Sequence, residues 1–130
     1  MIRYSSTDPV SVEAFVDVLK RSTLGERRPI DNPESMTAMV DKADVFATAW
    51  DGELLVGVAR GLTDFAFCCY LSDLAVDVTY QHQGIGKQLV STVQTALGEQ
   101  CKIILLAAPA AVDYYPKIGF TQHPSAWVLG

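Results

Sequence analysis

The sequence predicts a mixed α/β fold of the α+β type, with a central, mostly antiparallel sheet flanked by helices. Three observations lead to this prediction. Apolar residues recur at helical spacing in two early segments, alternate at strand spacing from residue 44 onward, and return to helical spacing after a glycine-containing turn. Strands in the middle with helices outside form one layered core. A chain of 130 residues can bury such a core, so a single domain covering residues 1–130 is expected.

The first forty residues predict a short strand and two helices. Residues 2–4 are the strand candidate. Asp8 is expected to cap the first helix and Pro9 to occupy its first position, because Asp accepts the free N–H groups there and Pro lacks one. This helix should end within residues 22–25. The second helix is predicted to follow Asn32 as its cap.

The remaining chain predicts the sheet. Residues 45–50 and 54–62 flank Asp51-Gly52, a dipeptide typical of a two-residue hairpin turn. Residues 67–78 continue the sheet, and residues 103–106 form a later strand. A short helix is predicted near residues 110–117, and a last strand pair around Phe120 and residues 127–129.

Charge and cysteine content restrict the functional class. Ten basic and fifteen acidic residues give a net charge of −5. A negative surface argues against nucleic acid or an anionic membrane as the main partner and favours a cationic substrate. The three cysteines lack the spacing of a metal site, and the sequence shows neither a signal peptide nor a long apolar run. A reduced, cytoplasmic protein without a metal is therefore expected.

The segment of residues 74–97 organises the chain. It reads as a strand end, a tight turn and an amphipathic helix. Gly84 and Gly86 lie where the strand gives way to the helix, and glycine permits both positive φ and close approach of a ligand. The first turn of a helix has unpaired N–H groups and the positive end of a dipole. The sequence therefore predicts a binding site for a phosphate at this turn.

Two common phosphate-binding loops do not fit the turn. A dinucleotide-binding fingerprint requires a third glycine where this chain has Leu89. A Walker A loop requires a glycine in place of Gln81 and a Ser or Thr in place of Gln88. A generic nucleotide-binding α/β domain is therefore disfavoured.

Two other motifs do fit a known family. Residues 81–86, Q-H-Q-G-I-G, match the pattern [RQ]-x-x-G-x-[GA] behind a short L-x-V strand end. Residues 114–120, Y-Y-P-K-I-G-F, match [FY]-Y-x-K-x-G-F beyond the next predicted strand. In this order, the two motifs resemble the GCN5-related N-acetyltransferase (GNAT) family over roughly residues 44–122. The resemblance implies the GNAT fold and an acetyl-CoA-dependent N-acetyltransferase.

The resemblance also implies the roles of particular residues. The turn would bind the pyrophosphate of acetyl-CoA, with the Gln81 side chain helping, and backbone groups of the strand end would pair with the pantetheine and polarise the thioester oxygen. Tyr115 would donate a proton to the departing thiolate. Asp73 would take the amine proton through water or neutralise a cationic substrate, and Tyr70 is another candidate for ordering a water. The implied cofactor-binding residues are Leu74, Ala75, Val76, Gln81, His82, Gln83, Gly84, Ile85, Gly86 and Lys87.

The implied acceptor is a small amine, which the acidic balance and Asp73 would favour in its protonated form. Two alternatives stay open beside this interpretation. One is a non-catalytic acyl-CoA-binding module that kept the phosphate site and lost turnover, and the other is a protein or peptide N-acetyltransferase. A homodimer is a further prediction about partners.

Overall fold

Five strands form a single sheet in a computed structural model that describes all residues, 1–130. Strands β1 to β4 pair antiparallel in chain order, and β5 joins β4 in parallel. The strands are β1 (Ile2–Ser5), β2 (Val45–Asp51), β3 (Leu54–Thr63), β4 (Cys68–Val76) and β5 (Lys102–Ile104). The predicted mixed, mostly antiparallel sheet is confirmed. The predicted hairpin is also present, but its two-residue turn is Gly52-Glu53 because Asp51 still pairs with Leu54.

Three α-helices flank the sheet: α1 (Val12–Ser22), α2 (Pro33–Asp41) and α3 (Ile85–Leu97). None of them has the length and apolar character needed to cross a membrane. The Asn32 side chain caps α2, as predicted. The predicted cap of α1 is wrong: Ser11 accepts the Ala14 N–H at 3.1 Å, whereas the Asp8 carboxylate is bound by Arg3 at 2.6 Å.

The helices lie on opposite faces of the sheet because successive strand residues point to opposite sides. Helix α3 packs on one face, where Ala47, Ala59 and Leu89 are fully buried in the same cluster. Helices α1 and α2 pack on the other face, where Phe15, Leu19 and Val58 are fully buried. The sheet therefore separates two apolar cores.

Strands β4 and β5 separate before β4 ends. Their pairing runs only from Cys68 beside Lys102 to Tyr70 beside Ile104, while β4 continues to Val76. Strand β5 is consequently shorter than the predicted 103–106. From residue 71 to residue 76, β4 has β3 on one side and no strand on the other. We call this opening the β4 notch.

The C-terminal part departs from the prediction. Residues 110–117 do not form one helix; two short 3₁₀ helices, Pro109–Ala111 and Tyr115–Ile118, take their place. The second 3₁₀ helix ends at Gly119, whose φ of 103° is left-handed. The predicted last strand pair is absent, and Trp127 is 92% exposed. Pro124 interrupts this segment and cannot donate a ladder hydrogen bond.

Candidate active site

The turn between β4 and α3 has a special backbone conformation. Asp77 accepts the Thr79 N–H at 2.8 Å and begins a 3₁₀ helix, Val78–Tyr80, that ends the strand. His82 and Gly84 then adopt left-handed φ values of 65° and 81°. Left-handed φ is uncommon for a residue other than glycine, so the conformation of His82 is maintained by the residues around the turn.

The turn presents a row of unpaired donors. No backbone N–H from residue 81 to residue 87 donates to a protein acceptor, and the first bond into α3 runs from Gln88 N–H to Gly84 O at 3.1 Å. The row includes the first N–H groups of α3, where the helix dipole is positive. Lys87 is exposed beside this row and forms no ion pair. The arrangement suits a phosphate or another compact anion.

Gln81 differs in detail from its predicted role. Its side-chain amide donates to the carbonyl oxygen of Val76 at 3.2 Å. The amide is therefore directed at the end of β4, and the phosphate-binding capacity of the turn comes from backbone N–H groups.

The β4 notch exposes backbone groups of alternate residues. Asp77 N–H donates to Val56 O at 2.8 Å, and the register pairs Val58 with Ala75. In an antiparallel ladder, residues bonded to the neighbour alternate with residues that face the other way. The N–H and C=O groups of Leu74 and Val76 therefore face the notch, while those of Ala75 face β3. Leu74 therefore offers a free N–H and a free C=O, whereas Val76 offers only its N–H, because its carbonyl oxygen already accepts from the Gln81 side chain. Ala75 is bonded to β3 and anchors the strand.

A contact between Gly86 and Tyr114 joins the two sequence motifs. A Cβ atom built at Gly86 would overlap the Tyr114 hydroxyl oxygen and lie 3.2 Å from its Cζ atom. Gly86 has helical backbone, so it is needed for this close approach, whereas Gly84 is needed for its positive φ. No local pattern marks the contact, because the two residues meet only through the fold. Tyr114 thus lies against the first turn of α3 as well as within the second motif.

Tyr115 lies half-buried between two aromatic rings. Its ring centroid is 5.4 Å from those of Tyr114 and Phe120, both in edge-on geometry. Burial raises the pKa of Tyr115 above its ordinary value of 10.0, the neighbouring Tyr114 adds to the rise, and the Arg28 guanidinium opposes it. The phenol therefore keeps its proton throughout the neutral pH range.

The surroundings of Asp73 weigh against its predicted role as a general base. Its side chain is fully buried, and its two oxygens accept hydrogen bonds from the Nε atoms of Arg28, at 2.5 Å, and Arg60. Because both oxygens are bound to guanidinium groups and the side chain has no exposed surface, Asp73 is poorly placed to take a proton from an amine or a water. Asp73 also cannot neutralise a cationic substrate, because two arginines already face it.

The sheet, its notch and the N–H-lined turn define an acyltransferase fold, and comparison with known proteins gives the family. The family model described as "Acetyltransferase (GNAT) domain" matches residues 9–128. The chain therefore belongs to the GCN5-related N-acetyltransferase family.

Named relatives agree with this family. The chain is 40% identical over 72 residues to GCN5-related N-acetyltransferase 2, chloroplastic, of Arabidopsis thaliana. These 72 residues cover 54% of this chain and 28% of the relative. It is 38% identical over 72 residues to the histone acetyltransferase TAP1 of Glycine max, over 54% of this chain and 31% of the relative. The chain thus matches less than a third of the length of these curated relatives.

A solved structure shows the same fold over the whole chain. A protein of unknown function from meticillin-resistant Staphylococcus aureus, named a probable acetyltransferase, superposes with a TM-score of 0.82 at 20% identity. The superposition covers 99% of this chain and 98% of the other. The GNAT fold expected from the two motifs is confirmed.

Proposed function

We propose that the protein is an acetyl-CoA-dependent N-acetyltransferase acting on the amine of a small molecule. The observation that carries this proposal is the unbroken row of free N–H groups over residues 81–87, placed at the end of the open β4 notch. The row suits a pyrophosphate and the notch suits an extended chain with amide groups. Pantetheine pyrophosphate combines both features in one ligand.

The residues present fit acetyl-CoA at each part of this site. The backbone of residues 81–87 would hold the pyrophosphate, with Lys87 near it, and Tyr114 would support the first turn of α3. The free C=O of Leu74 and the free N–H of Val76 would pair with the pantetheine amides, and the Leu74 N–H would polarise the thioester oxygen. Bound acetyl-CoA would supply a thioester whose acyl carbon accepts the amine.

Tyr115 would hold the proton that the leaving sulfur requires. Its raised pKa keeps the phenol protonated at neutral pH, so the proton is available to the sulfur while the C–S bond breaks. With Asp73 buried, Tyr70, which is 40% exposed on β4, remains our candidate for ordering the water that takes the amine proton. In this scheme the acid and the water-ordering residue come from different elements, the C-terminal 3₁₀ helix and β4.

The charge of the acceptor is proposed from the net charge of −5, which favours a protonated amine at long range. Asp73 gives this proposal no support, since Arg28 and Arg60 neutralise it. A protein acceptor is the second candidate, and the 38% identical histone acetyltransferase of Glycine max favours it. The cytoplasmic location and the homodimer stay predictions.

An acetyl-CoA binding and turnover experiment tests the proposal. Calorimetry with acetyl-CoA should show binding to the wild-type protein, and thiol release should rise with at least one member of a panel of monoamines, polyamines, amino sugars and histone peptides. Turnover of peptides alone would favour the second candidate. Tight binding without turnover across the panel would support the acyl-CoA-binding module, and absence of binding would refute the function.

A further inference from the structure

Strand β4 has a bulge next to the Leu74 donor. In the pairing with β3, Arg60 lies opposite Asp73 and Gly61 lies opposite Leu71, so Ser72 has no partner. A bulge bends its strand and changes the direction of the groups that follow. The orientation of the Leu74 N–H therefore depends on how the bulge is held.

Two arginines satisfy the polar groups of this bulge. Arg28 donates from Nη2 to the Ser72 carbonyl oxygen at 2.8 Å, and Arg60 donates from Nη2 to the Ser72 Oγ at 3.0 Å. Both arginines also donate from Nε to Asp73, one to each carboxylate oxygen. Each guanidinium thus spans two successive residues of β4.

The three side chains of this network are largely buried, and their hydrogen bonds fix its geometry. The exposed fractions of the side chains are 0% for Asp73, 7% for Arg60 and 22% for Arg28. Charge-assisted bonds at such sites are strong, and the planar fork of arginine fixes the direction of both bonds at once. Arg28 belongs to the segment between α1 and α2, so the network joins that segment, β3 and the bulge into one unit.

We propose that Arg28, Asp73 and Arg60 are positioning residues that fix the bulge at Ser72 and thereby aim the Leu74 N–H at the thioester carbonyl. This inference rests on the proposed function. It replaces the general-base role of Asp73 with a role in which the carboxylate never exchanges a proton with the substrate.

The first experiment compares Arg28→Lys with Arg21→Lys. Arg21 is a matched control, because it also bridges a carboxylate, that of Asp77 at 2.5 Å, and a backbone carbonyl, that of Leu55 at 2.5 Å, with a side chain 25% exposed. Lysine keeps the charge and loses the fork in both variants. The probe is acetyl-CoA labelled with ¹³C at the carbonyl, whose infrared band reports polarisation when it is bound.

Arg28→Lys should move the carbonyl band toward its position in free acetyl-CoA and lower kcat by about 10²-fold, with a small change in the affinity for CoA. Arg21→Lys should leave the band at its wild-type position, because Arg21 bonds neither Ser72 nor Asp73. Equal bands in Arg28→Lys and wild type, or equal shifts in both variants, would overturn the proposal. If Arg28→Lys does not fold, Ser72→Ala provides the test, because it removes the hydrogen bond from Arg60 to the Ser72 hydroxyl. A carbonyl band in Ser72→Ala at the wild-type position would also overturn the proposal.

A pH profile separates positioning from proton transfer. Asp73→Asn should lower kcat at every pH and leave the shape of its acidic limb unchanged, since Asp73 exchanges no proton. Loss of that limb would overturn the positioning role and restore the general base. Wild-type protein that binds acetyl-CoA with an unshifted band would refute this inference alone, whereas absence of acetyl-CoA binding would refute the proposed function beneath it.

Discussion

Tyr115 is the residue whose chemistry can be tested most directly. Replacing it by Phe keeps the ring between Tyr114 and Phe120 and removes only the proton donor. We expect kcat to fall by about 10²-fold, while the dissociation constant of acetyl-CoA changes little. Steady-state kinetics and calorimetry measure the two quantities. Tyr4→Phe is the control, because the pKa of Tyr4 is also raised by burial but the residue lies on β1, and it should leave kcat unchanged.

Tyr115 should also determine how kcat depends on pH. Because burial raises the pKa of Tyr115 above 10.0, the phenol loses its proton only at higher pH, and the alkaline fall of kcat should lie above pH 10.0 in the wild type. Tyr115→Phe should lack that fall, and its deficit should shrink at low pH, where solvent protonates the thiolate. A wild-type fall near neutral pH that persists in the variant would contradict the acid role.

Gly86 and Tyr114 form a pair that a double-mutant cycle can resolve. Gly86→Ala should weaken acetyl-CoA binding, since the new methyl group displaces the Tyr114 hydroxyl and with it the neighbouring 3₁₀ helix. Tyr114→Phe removes the overlapping oxygen, so the double variant should recover part of the loss, with a coupling energy of about 1 kcal/mol. Calorimetry on all four proteins measures it. Strict additivity would show that Gly86 acts on the ligand alone.

At the scale of elements, the turn before α3 can be tested against a second turn of similar backbone. Gly84 has φ of 81° and Gly52 has φ of 61°, and a Cβ atom at either would meet nothing within 4 Å. A β-branched residue at such φ is strained by about 1–3 kcal/mol, so Gly84→Val and Gly52→Val should both lower the unfolding free energy. Only Gly84→Val should abolish acetyl-CoA binding. Equal affinities in the two folded variants would refute the phosphate site.

The elements that sequence analysis predicts well are those with a local cause. Asp51-Gly52 specifies a hairpin by its own backbone preference, and the apolar stripe of α3 follows from helical spacing. The cap of α1 is mispredicted because the helix begins at Val12, where Ser11 caps it, and Asp8 lies too far ahead and binds Arg3 of β1. Choosing between two acceptable caps requires knowledge of the tertiary partner.

The residues of the candidate site likewise divide into those with a local cause and those that depend on distant partners. Gly84 and its row of N–H groups follow from a short motif, so their place is predictable. The ion pairs that weigh against Asp73 as a base could not be predicted, because Arg28 and Arg60 are distant from it along the chain and contact it only in the folded protein. Gly86 illustrates a third case: the motif requires a small residue there, and the structure shows a steric reason, the contact with Tyr114.

At the scale of the whole molecule, the sheet couples the ligand site to one of its two cores. Leu89 is fully buried in the core beneath α3, and Leu19 is fully buried in the core beneath α1. Truncation of a buried Leu to Ala costs about 2–5 kcal/mol, so both Leu89→Ala and Leu19→Ala should lower the unfolding free energy by comparable amounts. Chemical denaturation measures these losses.

The two truncations should differ in ligand binding. Leu89 lies one turn beyond the N–H groups at the start of α3, and its Cδ1 atom approaches the position of a Cβ on Gly57 to 3.0 Å, which seats the helix on β3. Loss of this packing contact should displace the N–H donors of residues 81–87. Leu89→Ala should therefore weaken acetyl-CoA binding by about tenfold or more, which corresponds to a loss of about 1–2 kcal/mol in binding free energy. Leu19→Ala leaves the packing of α3 on β3 intact, so this variant should bind acetyl-CoA with the affinity of the wild type. Equal affinities in the two variants, at equal loss of stability, would show that the phosphate site is held by the turn alone and not by the core beneath the helix.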